Sequence, residues 1–420
     1  MSLDLYSVKE IRDICKINSS SYSKKDNWNY FNYLDTKNIT KGEINEIKYL
    51  DPAIEKIPSR AKRKVNIDDI IISTVRPNQE HYGMIKYEMD NFLVSTGFTT
   101  LTVDKTKAIP EFIYYYITQN YITEALQTIA EQSTTSYPSI RPSDIGDIII
   151  NLPPLEIQKR ISNILSNIEN KIEINKKINI NLEQLIKYIY IDWFEEFEPF
   201  KDMDFYDTKL GSIPVGWDVK PLQEFIKFQE GPGIRNWQYV EKDGINFLNI
   251  RCIQNNDLVL DTANMISKEE ANGKYAHFML NEWDLVISSS GTLGRYAIVR
   301  EEHLPLCLNT SIIRFTPMHS FDHYAYVYSY LTSRGFYHYL LTMGSGSVQL
   351  NFGPTHLKQI DLVVPPENIL KKYNDLIFPL IEQMVTIKSE ISKLTKLRDT
   401  LLPKLMSGEI DVSKINCDLE

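Results

Sequence analysis

LPPLEIQKRISNILSNIENKIEINKKININLEQLIKYI, residues 152–189, opens on a proline pair with Glu156 just behind it, a helix start, and then repeats apolar side chains at alternating steps of four and three. The ladder runs through Ile157, Ile161, Ile164, Ile168, Lys171, Asn175, Ile178, Leu182, Leu185 and Ile189, apolar at eight of ten positions. That spacing is a coiled-coil seam. A second ladder follows Pro365-Pro366-Glu367 and runs through Tyr373, Ile377, Leu380, Met384, Ile387, Ile391, Leu394, Arg398, Leu401 and Leu405, apolar at nine of ten, with Pro379 expected to kink it. Each ladder spans 33 residues, about 50 Å of helix. Two equal seams, with enough chain between them to return, are expected to pair antiparallel. Lys171 and Asn175 are the polar seam positions expected to fix register.

Working outward, the two proline pairs lie 212 residues apart and are part of a long internal repeat. Asp69-Ile-Ile-Ile-Ser73 matches Asp284-Leu-Val-Ile-Ser288, Asp147-Ile-Ile-Ile matches Asp361-Leu-Val-Val, and Val8-Lys9 matches Val219-Lys220, all in the same order. Half of the chain is a copy of the other half. In each half, short β runs such as Ile70 to Thr74 or Leu285 to Ser289 precede helical stretches such as Glu111 to Ile129. The fold class that follows is mixed α/β: two globular α/β domains separated by two long antiparallel coiled-coil helices, with a pseudo-twofold repeat. The expected parts are a first domain (1–153), a first spacer helix (154–198), an acidic linker (199–216), a second domain (217–366), a second spacer helix (367–408) and a tail (409–420).

At 420 residues, 43% hydrophobic and 24% charged, the chain has the composition of a folded multidomain protein. No signal peptide or membrane span is legible, and Cys15, Cys252, Cys307 and Cys417 stand singly without metal-ligand spacing, so a cytoplasmic protein without a bound metal is expected. The net charge of -9 argues against a nucleic-acid partner only superficially. Seven acids between Asp192 and Asp207 face one base, Lys201, and account for -6 of it. No Walker loop, dinucleotide-binding glycine motif, HExxH or nucleophile elbow occurs. Gly231-Pro232-Gly233 reads as a tight turn, and the pair His319/His323 lacks further ligands. The expectation is a chain with no catalytic residues and no cofactor of its own.

The binding signal is stronger. Arg60, Lys62, Arg63 and Lys64 crowd one segment, and the strand after it ends in Arg76 and Asn78, whose forked side chains suit guanine and adenine edges while the lysines suit phosphates. The second copy keeps the scaffold but changes the loops, offering Arg235, Asn236, Arg251, Ser288, Ser290, Thr292, Arg295, Asn309, Gln349 and Asn351. Divergent polar loops on a duplicated frame fit the reading of two different short sequences on one duplex. The tyrosines Tyr114 to Tyr116 and Tyr324 to Tyr330 read as core.

Several of these segments carry a family likeness. Pro58-Ser-Arg-Ala-Lys-Arg-Lys-Val, Asp68 to Asn78, Val94-Ser-Thr-Gly-Phe98, Leu152 to Ile161, Glu230-Gly-Pro-Gly-Ile-Arg235, Phe247-Leu-Asn-Ile-Arg251 and Leu397 to Ile410 resemble the specificity subunit of type I restriction-modification systems. The resemblance implies two target-recognition domains held apart by the helices, and no catalysis by this chain. It implies double-stranded DNA and two modification (methyltransferase) subunits as partners, with restriction (motor-nuclease) subunits able to join. S-adenosylmethionine, and ATP with Mg if restriction occurs, would belong to those partners, and adenine N6 in a bipartite asymmetric site would be methylated. Val364-Pro-Pro-Glu-Asn-Ile departs from the fuller Leu152-Pro-Pro-Leu-Glu-Ile-Gln form, which puts equivalence of the two docking surfaces in doubt. On the residues alone, a stand-alone coiled-coil DNA-binding scaffold or regulator without a methylation partner stays open.

Overall fold

The computed structural model describes residues 6–132, 137–343 and 351–413. The chain divides into two compact units, one made of 1–172 with 394–420 and the other of 173–393, so each is assembled partly from a long helix. In unit 1 the strands are β1 (Ser7–Glu10), β2 (Cys15–Ile17), β3 (Phe31–Leu34), β4 (Lys48–Leu50), β5 (Ala61–Lys64), β6 (Ile70–Ser73), β7 (Tyr82–Met84), β8 (Phe92–Ser95), β9 (Phe98–Val103) and β10 (Ile149–Leu152). They form a sheet in the order β2-β9-β6-β7, a second in the order β4-β3-β8-β5, and the antiparallel pair β1-β10. β6 is a run of isoleucines ending in serine, buried along its whole length, as a central strand covered on both faces requires.

Unit 2 repeats the plan. Its strands are β11 (Asp218–Pro221), β12 (Ile226–Glu230), β13 (Tyr239–Val240), β14 (Ile245–Leu248), β15 (Asn264–Ile266), β16 (Leu285–Ser288), β17 (Tyr296–Ile298), β18 (Leu306–Leu308), β19 (Ile312–Pro317) and β20 (Asp361–Val364). The sheet β12-β19-β16-β17 reproduces β2-β9-β6-β7, and the parallel pair β14-β18 reproduces β3-β8. β6 starts at Ile70 and β16 at Leu285, which is the 215-residue offset of the sequence repeat. The basic strand β5 has no full counterpart, since only an isolated bridge between Met279 and Cys307 stands in its place.

Helices α1 (Pro110–Ile117) and α2 (Asn120–Glu131) replace the single stretch expected from Glu111 to Ile129; the chain breaks where Thr118 turns its hydroxyl onto the Tyr114 carbonyl. The tyrosines of α1 are buried in the unit 1 core; in the matching unit 2 helix at Tyr324–Leu331, Tyr324, Tyr326 and Tyr328 are buried and Tyr330 is half-buried against that core. The long helices are α3 (Leu155–Tyr190) and α4 (Glu367–Met406). α4 is helical without a break through Pro379 and Pro403, so neither proline ends it. Its end is closed by Gly408 at φ +77, a left-handed position where a side chain would also meet the Tyr6 hydroxyl.

Within each unit the helical segments run antiparallel. In unit 1 Arg160 reaches the Val412 and Ser413 carbonyls while Glu169 lies 3.9 Å from Arg398. In unit 2 Asn175 donates to Glu390 at 2.9 Å while Phe194 packs on Tyr373. The seam on α3 differs from the expected one. Beyond Ile161 the buried row is Leu165, Ile172, Asn175, Asn179, Ile186 and Tyr190, with Ile168 and Leu182 half-buried. Lys171, Ile178 and Leu185 lie on the exposed side, while Ile164 and Ile189 are half-buried. The cause is competition between two apolar rows one residue apart, of which the globular cores select the second. The α4 ladder holds, with Tyr373, Ile377, Met384, Ile387 and Leu405 buried and Leu380, Ile391, Leu394 and Leu401 partly so.

The segment expected as a linker, 199–216, is folded. Phe200 and Trp217 are buried among Trp193, Phe194 and Phe197, and Phe205–Thr208 pairs with Gly211–Pro214 in a hairpin.

Candidate nucleic-acid interface

In both units the loops that carry the candidate residues leave the same end of the central sheet. In unit 1, β6 ends at Ser73 opposite Phe98, the first residue of β9. The chain beyond is stitched there by Thr74 N–H to the Gly97 carbonyl (2.8 Å), Thr96 N–H to the Arg60 carbonyl (2.8 Å) and Arg76 N–H to the Pro138 carbonyl (2.9 Å). Arg60 and Arg76, distant in sequence, therefore share one loop cluster. Arg76 sits at φ +49 and lays its guanidinium over the exposed ring of Tyr137, 5.1 Å from the centroid. Asn78 is exposed one turn further, its N–H held by Gln127 (3.2 Å).

The four-cation segment divides. Arg60 and Lys62 face solvent. Arg63 turns inward; its Nε is enclosed and burial pushes its pKa down. Lys64 pairs with Asp26, which holds that carboxyl below its usual range, and lies over the Trp28 ring at 5.1 Å. Arg63 and Lys64 are thus half-buried, on alternate faces of β5, and less open to a ligand than Arg60 and Lys62.

In unit 2 the same sheet end gathers the start of β19, the end of β16 and Asn351. Ser289 N–H reaches the Ser311 carbonyl (2.9 Å), Phe352 N–H reaches the Ser289 carbonyl (3.0 Å), and Ser290 bridges Asn351. Thr292, Arg295 and Asn351 are exposed and Ser290 half-exposed. Ser288 is fully buried: its hydroxyl donates to the Thr292 carbonyl (2.6 Å) and accepts from the Arg295 N–H (2.9 Å), so it shapes the turn and is not available to a ligand. Asn309 is half-exposed and accepts from both the N–H and the hydroxyl of Ser311. Gln349 lies outside the described residues. Arg251 and Arg295 line a separate polar cleft of about 500 Å³ with Gln254, Asn255 and Asn256.

Gly231-Pro232-Gly233 is not a hydrogen-bonded turn. Gly231 instead lets the backbone pass against Asn309, where a Cβ would come within 2.5 Å. Arg235 and Asn236 follow it on an exposed loop. The two histidines expected to lack a site are committed elsewhere: His319 to the Glu224 carbonyl, and His323 to Glu367 while stacking on Phe225.

A sequence model described as the type I restriction modification DNA specificity domain matches residues 4–184 and again 214–396, once per copy of the repeat. The chain belongs to that family. The HindI specificity subunit of Haemophilus influenzae is 22% identical, with 89% of this chain and 94% of the relative covered. The MjaIX specificity subunit of Methanocaldococcus jannaschii is 26% identical over 98% of this chain and 94% of its own. Among solved structures, the S subunit of a type I restriction-modification system from M. genitalium matches 95% of this chain and 96% of its own, at 17% identity and a TM-score of 0.54. No helix among the described residues of this specificity-family chain is long and apolar enough to cross a membrane.

Two features of this family member escape the sequence. Tyr137 becomes a partner of Arg76 only through the fold, because 61 residues separate them. In unit 2, Lys388 of α4 is buried against Glu183 of α3 (3.5 Å) and donates to the Asn256 carbonyl (2.6 Å), while the Asn256 amide donates to Glu183 (3.0 Å) and to the Tyr296 hydroxyl (3.1 Å). The helical pair thereby holds the hairpin Ile253–Leu258 that forms one wall of the Arg251/Arg295 cleft. Alternating charges on a helix gave no reason to single out this lysine.

Proposed function

We propose that this chain is the DNA-reading subunit of a type I restriction-modification complex, each unit contacting one half of a bipartite site. The observation that carries the reading is a substitution at one backbone position. The left-handed turn after the central strand holds Arg76 at φ +49 in unit 1 and Gly291 at φ +66 in unit 2. Glycine is the residue such a turn ordinarily takes, and an arginine there accepts a conformational cost of order 1 kcal/mol. A stacked, forward-pointing guanidinium is a sufficient reason for it, since that group pairs bidentately with a guanine edge. Unit 1 would read through Arg76 and Asn78 with Arg60 and Lys62 on phosphates. Unit 2 would read through Arg235, Asn236, Ser290, Thr292, Asn309 and Asn351, with Arg251 and Arg295 on the backbone.

Two modification subunits are the partners this reading assigns to the helices, and Ile174, Ile178, Leu185 and Tyr188 on the exposed side of α3 support a docking role. S-adenosylmethionine would be bound and the methyl group transferred by those subunits, this chain contributing no reacting group, and motor-nuclease subunits would add ATP-dependent restriction. The setting is the cytoplasm, where the genome is. The test is methyladenine sequencing of the host genome with and without the gene. Loss of one bipartite motif on deletion is expected, and Arg76→Ala should alter only one half of it; an unchanged methylome in expressing cells refutes the reading.

A further inference from the structure

Trp237 stands apart from the other tryptophans: it leaves 81% of its surface in water, whereas Trp28, Trp193, Trp217 and Trp283 are buried or half-buried. Folding ordinarily removes most of an indole from solvent. The residue is not on a loose loop. Its turn, Asn236–Gln238, is clamped by the Gln238 side chain, which accepts from the Arg235 N–H (2.9 Å) and donates to Glu270 (3.0 Å) and to the Tyr275 hydroxyl (3.2 Å). Upstream, Ile234 packs against the cluster of Ile245, Phe247 and Tyr275, and Gly231 lies against the Asn309 backbone. Fastened at both ends, the loop holds Arg235, Asn236 and Trp237 outward.

The repeat says what kind of surface it meets. Unit 1 has the same turn 212 residues earlier, Lys24–Asp26, closed in the same way by Ser23 N–H to the Asp26 carboxylate (2.7 Å). Where unit 2 presents Trp237, unit 1 presents the exposed Lys25. A cation and an indole at equivalent positions, the indole two residues from an arginine, share one natural partner: a nucleic acid, whose phosphates take the first and whose sugar and base faces take the second.

We propose that Trp237 is a stacking contact to duplex DNA, its indole lying on a deoxyribose in the half-site of unit 2 with Arg235 on the adjoining phosphate. The inference rests on the DNA-reading role proposed above. Its test uses the full chain assembled with its modification subunits, and a duplex carrying the motif that methyladenine sequencing recovers. Trp237→Ala is expected to weaken binding by about five-fold or more, as truncation of an aromatic anchor does, with the thermal melt and the salt dependence unchanged. Trp237→Phe should keep most of the affinity. Arg235→Ala should instead reduce the slope of log K against log salt by about 0.9. DNA should quench tryptophan emission in the parent complex but not in Trp237→Phe. Affinity of Trp237→Ala within about two-fold of the parent, quenching that persists in Trp237→Phe, or quenching by the modification subunits without DNA would each overturn the assignment. A parent complex that yields no motif and binds no duplex overturns the DNA-reading role itself, a failure distinct from the others.

Discussion

Lys388→Met separates a buried ion pair from the helix that carries it. In the parent the Lys388 and Glu183 side chains are 11% and 16% exposed, and burial pushes the Lys388 ammonium below its ordinary pKa while Glu183 and Asp257 oppose the shift. Methionine keeps most of the lysine stem, so packing is nearly preserved. What is lost is the charged partner of the Glu183 carboxylate, which keeps the Asn256 amide, and the donor to the Asn256 carbonyl. Breaking one side of such a pair costs about 3–5 kcal/mol, and the remaining exposure places this case near about 3 kcal/mol. Glu183→Leu alone leaves the ammonium unpaired and should cost a similar amount. The double variant restores neutrality with apolar side chains of similar size and should fall within about 1 kcal/mol of the parent, giving a coupling of several kcal/mol. Urea unfolding followed by tryptophan emission reads these differences, because Trp193, Trp217 and Trp283 all pack in unit 2. A single variant costing less than about 1 kcal/mol, or a double variant costing the sum of the singles, would refute the reasoning.

Three further outcomes are expected. Ile186→Ala should cost about 2–5 kcal/mol in urea unfolding and Leu185→Ala less than about 1 kcal/mol, since these neighbours are 1% and 45% exposed; equal costs would restore the seam first read from the sequence. Arg76→Gly should leave stability within about 1 kcal/mol of the parent, because relief of the left-handed strain offsets the lost stack on Tyr137 and the freer unfolded chain, yet change one half of the methylated motif; a large loss of stability with an unaltered motif would make Arg76 structural. Burial raises the Cys15 thiol to about 12 and the Cys307 thiol to about 11, and lifts Tyr114 and Tyr190 well above the ordinary phenol value. Each group is neutral in the fold, so its contribution is complete below its unfolded pKa and is lost as pH rises toward the folded one. Stability should therefore fall above about pH 8.5, by up to roughly 1.4 kcal/mol per pH unit for each group titrating only in the unfolded chain. Flat stability up to pH 11 in denaturant titrations would contradict it.

The repeat was legible because it lies in backbone-determining residues: isoleucine runs, proline pairs and the serine that ends each central strand recur whatever the loops carry. Helical periodicity was equally plain on α4, where the expected row stays buried or half-buried, although Ile381 beside it is fully buried where Leu380 is not. On α3 two rows compete, Ile178 and Leu185 against Ile172 and Ile186, and periodicity cannot choose between them; only the packing of the globular cores does. The cation segment 60–64 illustrates the limit for the site. Composition counts four charges, but the partial burial of Arg63 and the Asp26 and Trp28 side chains against Lys64 leave those two less exposed than Arg60 and Lys62. Ser288 falls within the β run legible from Leu285 to Ser289, but nothing in that pattern tells that its hydroxyl is spent on the turn behind it. Tyr137 and Lys388 act through partners 61 and 205 residues away, distances at which no local pattern carries information.

The Tyr6 hydroxyl lies beside the turn at Gly408, so the residue ahead of β1 packs where α4 ends. Both ends of the described chain belong to unit 1, with Arg160 holding the carbonyls of Val412 and Ser413 beside the strands that begin at Ser7. A cut in the backbone after Met406 would therefore take from unit 1 a buried side chain, Val412, and both carbonyls that Arg160 holds, although α3 and α4 themselves stayed whole.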